Sequence, residues 1–159
     1  VPLENAVNLS AASVMGEFLQ QQDMQPLLLG PDSESQQWVQ QLAAVGGFDW
    51  AIAHKQRLSD IEVRITLPEI DFQRRPVVLV DDVISSGHTL AQAANEVRNA
   101  GASKICCLVT HALFADGALE LLHQADIKDI WSSDSIPHQS NVIYLAEMLA
   151  IQLQSLLTN

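Results

Sequence analysis

The first 54 residues of this 159-residue chain contain no lysine or arginine, and the whole chain has eight basic residues against 19 acidic ones. A formal net charge of -11 argues against a nucleic-acid surface, which is normally basic. No apolar run approaches the roughly 20 residues needed to span a bilayer, so no membrane contact is expected. The chain does not open on a basic segment followed by an apolar one, so no signal peptide is read there. Internal repeats and low-complexity tracts are missing as well. Cysteine is scarce. Cys106 and Cys107 are neighbours in the apolar run of residues 105–109, where successive side chains face opposite ways. Pairing is not expected, and two packed, reduced thiols in a cytoplasmic protein fit better than a metal pair.

What is present suits one domain over residues 1–159, with 48% hydrophobic and 17% charged residues and enough length for a substantial core. Residues 10–22 place Ala12, Met15, Phe18 and Leu19 on one helical stripe, after an extended start over residues 1–8. A short buried strand at 27–29 ends in the turn-forming Gly30-Pro31-Asp32-Ser33-Glu34-Ser35. Residues 35–45 predict an amphipathic helix with Trp38, Val39, Leu42 and Ala43 inward, stopped by Gly46-Gly47. Further strands are expected at 49–53, 63–67, 77–80, 105–109, 129–131 and 142–144, with a polar, mobile loop at 54–62. Helices are expected at 90–100, 117–123 and 146–157. This alternation predicts an α/β fold, a mainly parallel sheet flanked by helices.

The chain is organised around residues 77–89, VVLVDDVISSGHT. Four apolar residues read as a strand buried on both faces, and Leu90, Ala93, Ala94 and Val97 read as one face of the helix that follows. The turn between them should sit at the carboxyl edge of the sheet, where open α/β folds bind ligands. Its free N–H groups and the helix dipole make a seat for a phosphate. Ser85, Ser86 and Thr89 add hydroxyl donors, Gly87 allows close approach of the backbone, and His88 supplies another N–H. Asp81 and Asp82 are acceptors suited to the hydroxyls of a sugar. Donors for a phosphate beside acceptors for a diol describe a site for a sugar phosphate. The plainer alternative is a strand-to-helix connection with an acidic strand end and a serine N-cap.

The same residues resemble the phosphoribosyl pyrophosphate signature of type I phosphoribosyltransferases and ribose-phosphate pyrophosphokinases. Pro31-Asp32, His54-Lys55-Gln56-Arg57, the signature, Thr110-His111 and Ser133-Asp134-Ser135-Ile136-Pro137 fall in the order seen in the pyrophosphokinases. Lys55-Gln56-Arg57-Leu58-Ser59 with Glu62-Val63 looks most like the archaeal type, and the opening VPLENAVNLSAASVMGEFL resembles the start of that family's second half. The resemblance covers nearly the whole chain and corresponds to the C-terminal half of a full-length synthetase. A trimmed chain is expected from the start at Val1 without a methionine. The family implies a type I phosphoribosyltransferase-like fold and transfer of diphosphate from ATP to the 1-hydroxyl of ribose 5-phosphate, giving phosphoribosyl pyrophosphate and AMP. It also implies that Lys55 and Arg57 act on the transferring group, that Asp32 contacts Mg2+, and that Asp81 and Asp82 hold the ribose hydroxyls. Ser85, Ser86, Gly87, His88 and Thr89 would then hold the 5-phosphate, in a full-length protein expected to be a homo-oligomer.

Three positions depart from the family pattern. His88 stands where a small residue is usual, Ser33-Glu34-Ser35 replaces a glycine-containing loop, and Ala112 follows His111 in place of a proline or glycine. A packed or hydrogen-bonded ring is the expectation for His111. Ser33-Glu34-Ser35 and His88 favour an alternative reading, a non-catalytic homologue that binds a ribose phosphate and regulates or scaffolds a partner. A phosphoribosyltransferase that consumes phosphoribosyl pyrophosphate is the remaining alternative.

Overall fold

The computed structural model describes residues 7–57 and 63–157. Helix α1 (Ala12–Gln20) leads into strand β1 (Leu27–Gly30), a 3-10 turn over Ser33–Ser35, helix α2 (Gln36–Gly46) and strand β2 (Trp50–Ile52). Strands β3 (His54–Arg57), β4 (Val63–Thr66) and β5 (Pro76–Ile84) follow, then helix α3 (His88–Asn99) and strand β6 (Lys104–Ala112). Helix α4 (Ala118–Gln124), strands β7 (Asp129–Ser133) and β8 (Asn141–Ile143), and helix α5 (Ala146–Leu157) complete the order. Six strands form one parallel sheet in the order β2-β1-β5-β6-β7-β8, with Leu29 opposite Leu79 and Leu79 opposite Cys107.

The sheet is covered on both faces because its central strands are apolar at every position, not at alternate ones. Leu27, Leu29, Val77, Leu79, Ile105, Cys107 and Val109 pack with Leu90, Ala93, Ala94 and Val97 of α3 and Leu122 of α4. Leu28, Val78, Val80, Cys106 and Leu108 point the other way, onto Met15 and Leu19 of α1 and Val39 and Leu42 of α2. Each such fully buried leucine contributes about 1.5–3 kcal/mol of transfer free energy. The cysteines are free and buried, one in each layer. Burial pushes the Cys106 thiol up to about 12 and that of Cys107 higher, so both stay protonated.

Strand order opens a crevice at one edge of the sheet. From β1 the chain moves outward to β2 and returns on the other side of β1 as β5, so the order reverses between β1 and β5. At such a switch point the loops leaving the two strands diverge and open a crevice.

Several elements differ from their sequence reading. The central strand runs past residue 80 through both aspartates to Ile84, because β6 continues beside it and pairs Val83 with His111 and Ile84 with Ala112. Residues 54–57 are a strand and not a loop, since antiparallel pairing with β4 sets Lys55 opposite Ile65 and Arg57 opposite Val63. Residues 58–62 and most of the extended start at 1–8 lie outside the described residues. Trp38 is half-buried, as is Phe18, whose ring meets Trp131 edge-on at 5.4 Å. Helix α5 forms as expected but buries none of its residues. Leu149, Ile151 and Leu153 are all more than half exposed.

Candidate functional site

A polar cleft of about 270 Å³ lies at the switch point, lined by Asp32, Glu34, Lys55, Asp81, Asp82 and residues 83–90. It gathers three segments far apart in sequence, and each has a local reason for its position.

The first is the turn after β1. Asp32 caps the 3-10 turn, its Oδ1 accepting from the N–H of Glu34 at 3.0 Å, while the Ser35 hydroxyl donates to the Asp32 carbonyl at 2.6 Å. The other carboxylate oxygen takes Lys55 Nζ at 2.9 Å. That ion pair is largely shielded, with side-chain exposures of 13% for Asp32 and 27% for Lys55. It ties the β3–β4 ribbon to the sheet edge. Arg57 lies two residues on and shares a shallow recess with Asp32, Ser33, Glu34 and Lys55.

The second segment is the end of β5. Asp81 Oδ1 accepts from the N–H of Asp82 at 3.0 Å, and Asp82 Oδ1 from that of Val83 at 2.7 Å. Both are half-buried. Burial, reinforced by the charges of Asp82 and Asp32 and opposed by the Asp82 N–H, pushes the Asp81 carboxyl up to about 7. Near neutral pH it exists in both forms, so it can donate or accept toward a hydroxyl.

The third is the loop into α3. Gly87 sits at φ +77 and starts the helix by accepting from Ala91 N–H, with no side-chain cap. The serine N-cap of the plainer reading is therefore replaced by a left-handed glycine. No acidic residue occupies the first turn of α3, which leaves the positive end of its dipole open to an anion. Ser85, Ser86 and His88 are exposed and Thr89 half-buried. The loop is held from behind, as Ile84 O accepts from Leu113 and Phe114 and Ser85 O from Ala115.

All the residues singled out in the sequence thus converge on one edge. Those of the phosphate loop, the aspartate pair, Asp32 and Lys55 line one cleft, and Arg57 lies at its neighbouring recess. His111 lies in β6 and carries the expected hydrogen-bonded ring, Nδ1 being 2.9 Å from Ser135 Oγ. One feature was missed. An apolar cavity of about 260 Å³ lies beyond the aspartates, lined by α1, α2 and α5 residues such as Met15, Trp38, Leu42, Met148 and Leu149. The helical stripes marked Met15, Trp38 and Leu42 only as inward-facing, and residues from five elements gave no joint signal.

The donor set bears on a divalent cation. Among the described residues no group of three or more metal-ligating side chains is preassembled. The hard oxygens of Asp32 suit a divalent cation completed by ligand phosphates and water.

Residues 59–159 match the model of the phosphoribosyl synthetase-associated domain. The chain belongs to that family. A relative, ribose-phosphate pyrophosphokinase 2 of Archaeoglobus fulgidus, is 35% identical over 143 residues, which cover 90% of this chain and 52% of the relative. The phosphoribosylpyrophosphate synthetase of Mycobacterium smegmatis has a similar fold, with a TM-score of 0.75 at 24% identity over 94% of this chain and 51% of that one. A hypoxanthine phosphoribosyltransferase from Staphylococcus aureus shares the fold with a TM-score of 0.56 at 15% identity, over 84% of this chain and 79% of that one. The expected phosphoribosyltransferase-like α/β fold is therefore present, and the chain spans about half the length of the pyrophosphokinases it matches.

Proposed function

We propose that this chain is the ribose-5-phosphate and catalytic-loop half of a ribose-phosphate pyrophosphokinase. The observation that carries the reading is the meeting of Asp32, Lys55, the aspartate pair and the loop of residues 85–89 on one cleft at the switch point. In this reading Asp81 and Asp82 hold the ribose hydroxyls, and Ser85, Ser86, Gly87, His88 and Thr89 hold the 5-phosphate against the α3 N-terminus. The 1-hydroxyl oxygen attacks the β-phosphorus of ATP, the bond from that phosphorus to the α-phosphate oxygen breaks, AMP leaves and the hydroxyl proton passes to solvent.

Lys55 and Arg57 sit where negative charge builds on the transferring diphosphoryl group, and fixed cations there lower the barrier. Mg2+ held at Asp32 would shield the charge of the β- and γ-phosphates. Lys55 already shares Asp32, so a cation there would compete with that ion pair for the same carboxylate. A cytoplasmic setting agrees with the two free, buried thiols and with the absence, among the described residues, of a helix able to cross a membrane. The longer enzyme is proposed to be a homo-oligomer.

The test is AMP release from ATP, ribose 5-phosphate and Mg2+ by the chain and by a longer protein that contains it. Activity of the longer protein that falls at least a hundredfold in Lys55→Ala supports the proposal. A second reading, a non-catalytic ribose-phosphate sensor, is favoured by Glu34, an additional anion among the residues lining the cleft, which would repel a polyphosphate. Ribose 5-phosphate binding without turnover in either protein would select it.

A further inference from the structure

Behind the loop of residues 85–89 lies a short segment, residues 113–115, that is not among those lining the cleft. In this connection between β6 and α4 the N–H groups of Leu113 and Phe114 both donate to the Ile84 carbonyl, at 3.0 and 3.1 Å. That of Ala115 donates to the Ser85 carbonyl at 3.0 Å. A trans peptide is planar, and its C=O and N–H point in opposite directions. Fixing these two carbonyls therefore fixes the N–H groups of Ser85 and Ser86, which share their peptide planes and point away from residues 113–115.

The bracket turns at Phe114, whose φ of +30 is an angle that so large a side chain rarely adopts. Such a backbone persists only where its surroundings hold it. The Phe114 ring stacks on that of His138, with centroids 4.2 Å apart and planes 19° from parallel. His138 lies in the β7–β8 connection and is itself fixed. Its Nδ1 accepts from the Ser140 N–H at 3.2 Å and lies 2.7 Å from the Ser140 hydroxyl, and its backbone N–H donates to Asn141 Oδ1 at 2.8 Å. Asn141 Nδ2 donates in turn to Ser132 Oγ and the Ser133 carbonyl, and the buried Ser132 and Ser140 hydroxyls meet at 2.7 Å.

We infer that Phe114, clamped by His138, is a positioning residue that aims the Ser85 and Ser86 N–H groups at the phosphate ester. The inference rests on the ribose-phosphate reading of the cleft and deepens it, by assigning the loop's aim to two rings outside the cleft. Phe114 also packs against the core layer on the α3 side, but packing alone asks only for an apolar side chain there. The bracket asks for a left-handed backbone, which glycine adopts freely and alanine does not.

Ribose 5-phosphate titrated into the whole chain, followed by calorimetry and by the amide resonances of Ser85 and Ser86, tests the inference. Wild type is expected to bind and to shift both resonances. Phe114→Ala should bind about tenfold more weakly, with both shifts reduced, as hydrogen bonds to a charged group are lost. His138→Ala should weaken binding in the same direction, and Phe114→Tyr, which keeps the stack, should bind as the wild type does. Phe114→Gly removes still more apolar surface but accepts the backbone angle, so it should bind severalfold more tightly than Phe114→Ala while being no more stable to thermal unfolding. Unchanged affinity in Phe114→Ala or His138→Ala, or Phe114→Gly binding no better than Phe114→Ala, overturns the positioning role. The ribose-phosphate reading then stands so long as Thr89→Val weakens binding. A wild-type chain that does not bind ribose 5-phosphate, or binding unaltered in Thr89→Val, brings down both.

Discussion

Asp81 carries the largest electrostatic load in the cleft. Its carboxyl is raised to about 7 in the folded chain, by burial first and then by Asp82 and Asp32, against an ordinary value of 3.8. A raised carboxyl favours the folded state while it is protonated. That stabilisation is complete below the unfolded value, declines as pH rises from about 4 and is lost above about 7. Three pKa units correspond to roughly 4 kcal/mol. Urea denaturation should therefore show stability falling between pH 5 and pH 8, and Asp81→Asn should flatten that slope and be the more stable variant at pH 8. Asp32 is a carboxylate with two partners. Asp32→Ala deprives both Lys55 and the Glu34 N–H of their acceptor. It should lower the unfolding free energy by about 1–2 kcal/mol, most of it from the lost cap, because the ion pair retains some solvent screening.

Among the elements, the β5-loop-α3 unit was the most legible, because an apolar run, a polar turn and a helical stripe are separate signals in adjacent residues. Its true length was not legible. Two consecutive carboxylates do not read as strand, and Asp81 and Asp82 are in β5 because β6 runs beside them to Ala112. His54-Lys55-Gln56-Arg57 is polar throughout and is a strand for the same kind of reason, its partner being Val63–Thr66. Pairing across the sheet overrode local preference in both places. The loop itself depends on Gly87. A Cβ there would meet Leu122 at an ordinary 3.4 Å, so the demand for glycine comes from the backbone angle of +77 and not from space. Gly87→Ala should cost about 1–3 kcal/mol in thermal or urea unfolding and weaken phosphate-ester binding, since the strain falls on the first turn of α3.

At the scale of the whole molecule, the site is a consequence of strand order. β1 and β5 are adjacent, their loops part at the switch point, and the carboxylate of Asp32 comes within reach of Lys55 although 23 residues separate them in sequence. The motifs and their sequence order were enough to group the polar side of this site. The apolar side was hidden, because α1, α2 and α5 each contribute two residues whose apolar character is equally what a core requires. Helix α5 shows the same ambiguity at larger scale. Its sequence predicts a helix over residues 146–157, which forms, and none of its residues is buried.

Every functional step above requires one pocket to grip a pentose by its diol and its phosphate together. The direct measurement is ribose 5-phosphate titrated calorimetrically into the wild-type chain, Asp82→Asn and Thr89→Val, with thermal unfolding confirming that each variant is folded. The account predicts binding to the wild type that weakens at least tenfold in each variant, as expected when about 1.4 kcal/mol or more of hydrogen bonding to a charged group is lost. Equal affinity in all three proteins would contradict it.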